Sequence, residues 1–134
     1  MFWSDSIKDK IYRSSLAGEN RVAIVNASSS PRGMVIDYDN EVLYWLEWFN
    51  ERLEGSNYDG SNYTKYISLG QGFVVYPGYI TLLGDLFYWS EGSTIERLNR
   101  TTSPMEKLPN VFGKVYPRVQ GIAAFNSSRQ PLGT

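Results

Sequence analysis

The chain is 134 residues long, enough for one ordinary domain, and 42% hydrophobic with 20% charged residues, as expected of a globular rather than a disordered chain. Its 13 Lys+Arg against 14 Asp+Glu leave a net charge of −1, with no basic block for nucleic acid or for a membrane tether. It has neither Cys nor His, which excludes disulfides, thiolate metal sites and imidazole-based catalysis, and no apolar run approaches the roughly 20 residues that span a bilayer.

The chain opens on an aromatic core, Phe2-Trp3-Ser4-Asp5, with no leader pattern ahead of it. A turn at Leu16-Ala17-Gly18-Glu19-Asn20 follows, then Pro31-Arg32-Gly33 leading into Met34-Val35-Ile36-Asp37. Short runs rich in β-branched and aromatic residues cover Gly33–Tyr38, Val42–Trp48, Arg52–Tyr58 and Tyr63–Leu69, each bounded by Gly, Asn, Ser or Pro. Glu41–Leu53 has helical propensity, but its dense aromatics and flanking Asn and Gly argue for strand and loop. Tyr88-Trp89-Ser90-Glu91 and the run Gly121–Phe125 continue the pattern.

These elements repeat. Trp3 and Trp45 stand 42 residues apart, Trp45 and Trp89 44 apart, and the turn glycines Gly18 and Gly60 again 42 apart. The Pro-Arg-Gly run is echoed at Tyr76-Pro77-Gly78-Tyr79-Ile80 and at Gln120-Gly121-Ile122-Ala123-Ala124-Phe125. Several marks in one order, with four short strands per 40–45 residues, are the arithmetic of a propeller blade. The fold class is all-β.

The Tyr-Trp cores with their acidic residue (Asp5, Glu47, Glu91), the Asp59-Gly60-Ser61-Asn62 turn and the Pro-Arg-Gly motif resemble low-density lipoprotein receptor class B repeats, the YWTD β-propeller blades. The resemblance covers essentially residues 1–134, with repeat cores near 2–40, 42–85 and 87–126, and a tail at 127–134 resembling the approach to an EGF-like module. It implies about three of six four-stranded blades. The acidic residue departs from Asp in two units, and the third unit has Arg100-Thr101-Thr102-Ser103 where the Asp-Gly turn belongs. In this family the Tyr-Trp run is a blade's second strand and the Gly-Ile run the next blade's innermost. The chain then has three, four, four and one strands, and both ends present unpaired sheet edges. Either a missing propeller half completes them in cis, or two copies pair as a homodimer, each completing the other's open blade.

For function, the resemblance implies a non-enzymatic extracellular binding module of a lipoprotein-receptor-related endocytic receptor, part of a single-pass membrane protein. The alternative is an extracellular scaffold or Wnt co-receptor-type propeller that holds a partner's loop. No cofactor or metal is implied. Asp5, Glu47 and Glu91 invite a general acid/base reading, but one per blade argues for capping backbone N–H groups or bonding a neighbouring blade. Trp3, Trp45 and Trp89 are expected in the core between blades, and Gly33 and Gly60 at structural turns. Asp37-x-Asp39-x-Glu41 opens like a calcium loop, but Val42 and Trp48 occupy the places of the required Gly and Glu, so calcium is rejected. Gly70-Gln71-Gly72 reads as a loop between blades. Trp48 and Phe49 follow the acidic residue of the second unit, with no aromatic counterpart at Lys8 or Gly92. With Arg32 they are the candidate ligand face, for a protein partner. Four Asn-x-Ser/Thr sequons, at Asn26, Asn62, Asn99 and Asn126, suit a secretory ectodomain, with Asn62 the best placed acceptor.

Overall fold

A computed structural model of the chain describes residues 1–26, 29–69, 77–112 and 119–124. Among the described residues, eleven strands form three antiparallel sheets. The first contains β1 (Phe2–Asp5), β2 (Lys10–Arg13) and β3 (Val22–Val25). The second contains β4 (Pro31–Asp37), β5 (Val42–Glu47), β6 (Arg52–Asn57) and β7 (Thr64–Ser68), in that spatial order. The third runs from β8 (Pro77–Leu83) through β9 (Leu86–Glu91) and β10 (Thr94–Asn99) to β11 (Glu106–Phe112). These are the blades of a partial β-propeller, four strands in each of the last two and three in the first.

Register confirms that the repeats superpose. Trp45 pairs with Met34 and Glu54, and Trp89 with Ile80 and Glu96, so the two complete blades are equivalent residue for residue around the Trp. Trp3 pairs with Tyr12 in the first blade, which has no inner strand among the described residues. The turn residues Gly18 and Gly60 have φ of 83° and 87°, and Asn20 and Asn62 follow at 55° and 53°. One turn geometry therefore recurs 42 residues on, in the left-handed region that Gly and Asn tolerate best.

The region from Glu41 to Leu53 is strand, loop and strand, because the β5 side chains from Leu43 to Leu46 each find a neighbouring blade. Alternate side chains leave a strand on opposite faces. Leu43 and Trp45 join Ile11 and Val25 of the first blade in one apolar cluster, while Tyr44 and Leu46 join Ile80, Phe87, Trp89 and Leu98 of the third. A strand buried on both faces reads as a continuous apolar run, not an alternating one. Trp45 and Trp89 are fully buried between blades, whereas Trp3 is only half-buried, stacked on Tyr12 at 5.4 Å.

Two glycines are fixed by these contacts. A Cβ on Gly60 would lie 2.1 Å from the Ile24 carbonyl oxygen, since the outer hairpin of the second blade lies directly on β3 of the first. A Cβ on Gly33 would lie 2.5 Å from the Gly78 oxygen, where the inner strands β4 and β8 converge.

One departure from the repeat is absorbed as the strand count expects, and one expectation needs correction. The third blade forms its outer hairpin without the Asp-Gly turn: Asn99 instead accepts hydrogen bonds from the N–H (2.9 Å) and hydroxyl (2.7 Å) of Thr101, and β11 follows. The twelfth strand expected over Gly121–Phe125 is irregular over its described part, residues 121–124, where no strand among the described residues pairs with it in a ladder. Phe125, the Gly70-Gln71-Gly72 loop, Asn126 and the tail 127–134 lie outside the described residues.

Candidate functional site

Arg32, Trp48 and Phe49 come together at one end of the blades. Trp48 and Phe49 sit in the four-residue loop between β5 and β6, and Arg32 at the start of β4, beside the end of β5. The Arg32 guanidinium lies over the Trp48 ring at 4.3 Å from its centroid, and the Trp48 and Phe49 rings are 5.4 Å apart and tilted. A cation over an aromatic face is attractive, and most so where water is thinned. Phe49 is 70% exposed. Trp48 and Arg32 line a cleft of ≈ 570 Å³, with Ser4, Ser6, Tyr79 and Gln120 on its other walls.

Register also finds two residues that inspection of the sequence missed. The loop between β1 and β2 has the same length as that between β5 and β6, and Asp9 and Glu51 share a positive φ at its last position. Phe49 thus corresponds to Ile7, not Lys8, and Ile7 is 93% exposed. Comparing the loops at a strict 42-residue offset would have found it. Tyr79, 48% exposed on the cleft wall, occupies the position of Gly33 in its blade, which pairing of Pro31 with Glu47 and Pro77 with Glu91 establishes.

The three acidic repeat residues are not brought together. Asp5 accepts from the backbone N–H groups of Ile7 (3.2 Å) and Lys8 (3.0 Å), and the Lys8 bond is the main reason its carboxyl titrates below the usual range. Glu47 is fully buried and accepts from Trp45 Nε1 at 3.2 Å and from the Ser29 N–H at 2.5 Å. Burial, and next the charge of Glu54, push its pKa up to about 7. Glu54, itself buried, accepts from the Tyr63 hydroxyl. Glu91 accepts from Trp89 Nε1 at 3.2 Å; burial raises its pKa, against which Lys107, 3.8 Å away, pulls. Each acid thus serves its own blade.

Asp37, at the far end of β4, is buried and ion-paired with Arg100 of the third blade, with Asn40 Nδ2 donating at 2.7 Å. Burial alone would raise its pKa, but the Asn40 and Arg100 hydrogen bonds outweigh it and the carboxyl titrates below the ordinary value. Those bonds occupy the first position of the rejected calcium loop. Among the described residues no cluster of three or more acidic groups could hold a metal ion. Of the sequon asparagines, Asn62 is exposed in its outer turn, Asn26 is exposed after β3, and the Asn99 amide oxygen is held by Thr101. Among the described residues no helix is long and apolar enough to cross a membrane.

The chain is 29% identical over 131 residues to low-density lipoprotein receptor-related protein 5 of Mus musculus, a match that takes in 92% of this chain and 7% of that protein. The blades resemble those of the low-density lipoprotein receptor YWTD type. No family profile matches the sequence. Among solved structures, a chain of a nidogen/laminin complex superposes with a TM-score of 0.55 at 19% identity, covering 91% of this chain and 62% of that one. A luciferin-regenerating enzyme (TM-score 0.67, 16% identity, 84% of this chain and 38% of that one) and a streptogramin B lyase (0.63, 22%, 81% and 36%) share the propeller architecture. At such identities the likeness is one of fold, which does not carry an activity with it.

Proposed function

We propose that this YWTD segment is a non-enzymatic, extracellular protein-binding module of a lipoprotein-receptor-related endocytic receptor. Its contact face is the cleft end carrying Arg32, Trp48 and Phe49. The observation that carries the reading is that cluster: the exposed Phe49 ring, the half-buried Trp48 ring and the exposed Arg32 guanidinium stacked on it, in one loop and at the start of the strand beside it. Buried anchors of protein interfaces are drawn from Trp, Tyr and Arg, and loops on a rigid scaffold are where such anchors are displayed. Ile7 and Tyr79 extend the face with apolar and aromatic surface. The dispersal of Asp5, Glu47 and Glu91 over three blades supports a binding rather than a hydrolytic reading, because acid/base catalysis needs its groups around one substrate. The sequons, Asn62 foremost, support an extracellular setting.

A second reading, an extracellular scaffold, is favoured by the superposition on a chain of the nidogen/laminin complex. One experiment tests both. Peptides selected from a displayed library on the immobilised chain, together with laminin, are assayed for binding to the wild type, Trp48→Ala and Arg32→Ala. Peptide binding that falls tenfold or more in both variants supports the face. Selected peptides whose binding ignores both substitutions would refute it, and laminin binding alone would favour the scaffold.

A further inference from the structure

We propose that the cleft face reads one acidic side chain of its partner. The Arg32 guanidinium, backed by Trp48, binds the carboxylate of an Asp or Glu in an extended protein segment, and Phe49, Ile7 and Tyr79 hold apolar residues beside it. The proposal rests on the binding role given above and names the chemistry of the partner.

The charge lining the cleft is of one sign. Of its described lining residues Arg32 alone is charged, while Ser4, Ser6, Ser90 and Gln120 add neutral hydrogen-bonding groups. Carboxylates at this end of the blades are committed elsewhere. Asp5 serves the Ile7 and Lys8 N–H groups, Asp9 accepts from the Ser30 N–H at 2.8 Å, and Glu47 and Glu91 each hold a Trp Nε1. Among the described residues none forms an ion pair with Arg32. The cavity of ≈ 610 Å³ at the other end is the opposite case. Asp37, Asp39 and Asp85 line it, and its Arg100 is already paired with Asp37. A partner's carboxylate therefore finds its complementary charge in the cleft and a surplus of like charge at the other end.

The cation is held ready for such a group. Its guanidinium carbon lies over the Trp48 ring, 4.3 Å from the centroid, so the ring covers one side while the exposed side chain keeps N–H donors open to a ligand. A carboxylate accepts two of those donors side by side, and the apolar ring thins the water that would compete. Both members of the stack are anchored through their backbones. The Ser4 hydroxyl donates to the Arg32 carbonyl oxygen at 3.2 Å, and the Trp48 N–H donates to the Ser30 oxygen at 3.3 Å. Anchoring of this kind lowers the ordering that binding would otherwise require.

A bulge repeated in two blades brings the groups to the cleft. Pro31 faces Glu47 and Met34 faces Trp45, so Arg32 and Gly33 together stand against Leu46 alone. Pro77 faces Glu91 and Ile80 faces Trp89, so Gly78 and Tyr79 stand against Ser90, whose hydroxyl accepts from the Tyr79 N–H at 3.0 Å. Bulges re-aim side chains beside functional sites. Here one break in the ladder supplies a guanidinium from β4, and its copy supplies an exposed aromatic ring from β8. Phe49 and Ile7 add exposed apolar surface at the same end. A free anion would leave that surface uncovered, and a sulfated glycan needs a run of cations where the cleft offers one. An acidic residue set among apolar ones in a protein segment satisfies both.

The test uses the full chain and short peptides selected on it from a random displayed library. Binders are expected to share an Asp or Glu flanked by apolar or aromatic residues. In the tightest binder, changing that acid to its amide should raise Kd about tenfold or more on the wild type and about twofold or less on Arg32→Gln. Arg32→Lys, which keeps the charge but not the fork, should recover only part of the affinity. Arg32→Glu should reject the acidic peptide and accept the same peptide with Lys in place of the acid. Arg32 is exposed, so these variants are expected to melt within about 0.5 kcal/mol of wild type. Binders that depend on Trp48 but carry no acid, or whose acid counts equally on Arg32→Gln, overturn the acidic partner and leave the binding face standing. Binders indifferent to both Trp48→Ala and Arg32→Gln, or a library that yields none, overturn both. A heparin fragment that binds through Arg32 more tightly than any selected peptide overturns the choice of a protein segment.

Discussion

Glu47 makes the stability of the second blade depend on pH in an unusual direction. Its carboxyl has an ordinary value of 4.5 and is raised to about 7 in the folded chain, by burial first and by Glu54 second, with Asp9 adding to the repulsion. A group raised on folding binds its proton more tightly in the native state. Its stabilising contribution is complete below about pH 4.5 and is lost as pH rises through about 7. A shift of this size corresponds to about 3 kcal/mol between pH 5 and pH 8, or about 10 °C in Tm for a domain of this length. Glu91 acts in the same sense, while Asp5, Asp37 and Asp59 are lowered and withdraw stability only at more acid pH. The expected profile therefore rises on acidification from pH 8 to about 5 and falls below about 4. Thermal melts followed by Trp fluorescence measure it. Glu54→Gln keeps an acceptor for Tyr63 but removes the neighbouring charge, so it should reduce the slope between pH 5 and 8 without abolishing it. Glu47→Gln should flatten most of it. A wild-type Tm that is constant or falls from pH 8 to 5 would refute the reasoning.

Gly60→Ala should cost about 3 kcal/mol or more in urea unfolding, because it adds a backbone clash between the first two blades to the strain of a positive φ. Arg100→Met strands the buried Asp37 carboxylate and should cost about 3 kcal/mol at pH 7, less in acid, with Asp37→Asn in the same chain recovering much of the loss; a loss unchanged by pH would show that the ion pair is not its source. Phe49→Lys and Ile7→Lys sit on exposed side chains and should leave the melt within about 0.5 kcal/mol of wild type while weakening any partner of the cleft face.

The blades were legible because their repeats are local. Strand bounds at Val42–Glu47 and Arg52–Asn57 lie within a residue of those read from the aromatic runs, since Gly, Asn and Ser punctuate each turn. The Trp48, Phe49 and Arg32 cluster was legible as three separate departures from the repeat, but not as a contact: nothing in the spacing of Arg32 and Trp48 shows that β4 and β5 return the two side chains to one edge. Ile7 escaped because it is not aromatic, and Tyr79 because the echo of the Pro-Arg-Gly run set Gly78, rather than Tyr79, against Gly33. The repulsion between Glu47 and Glu54 was hidden by sequence entirely, since it depends on the β5–β6 register, which sets Glu54 opposite Trp45 and Arg52 opposite Glu47.

One repeat position does different work according to what covers it. Asp5, Glu47 and Glu91 align in sequence, yet the first titrates low and the other two high. Asp5 lies in the blade that no other covers on its Trp side among the described residues, and its charge is served by backbone donors. Glu47 and Glu91 lie beside a Trp sealed by the preceding blade, where the same carboxyl loses its solvent. Trp3 against Trp45 and Gly18 against Gly60 divide in the same way. The repeat therefore encodes one side of an interface, and its energetics appear only where a neighbouring blade supplies the other. A blade laid over the Trp3 face should bury Trp3 and push the Asp5 carboxyl up from its lowered value, in the direction of Glu47.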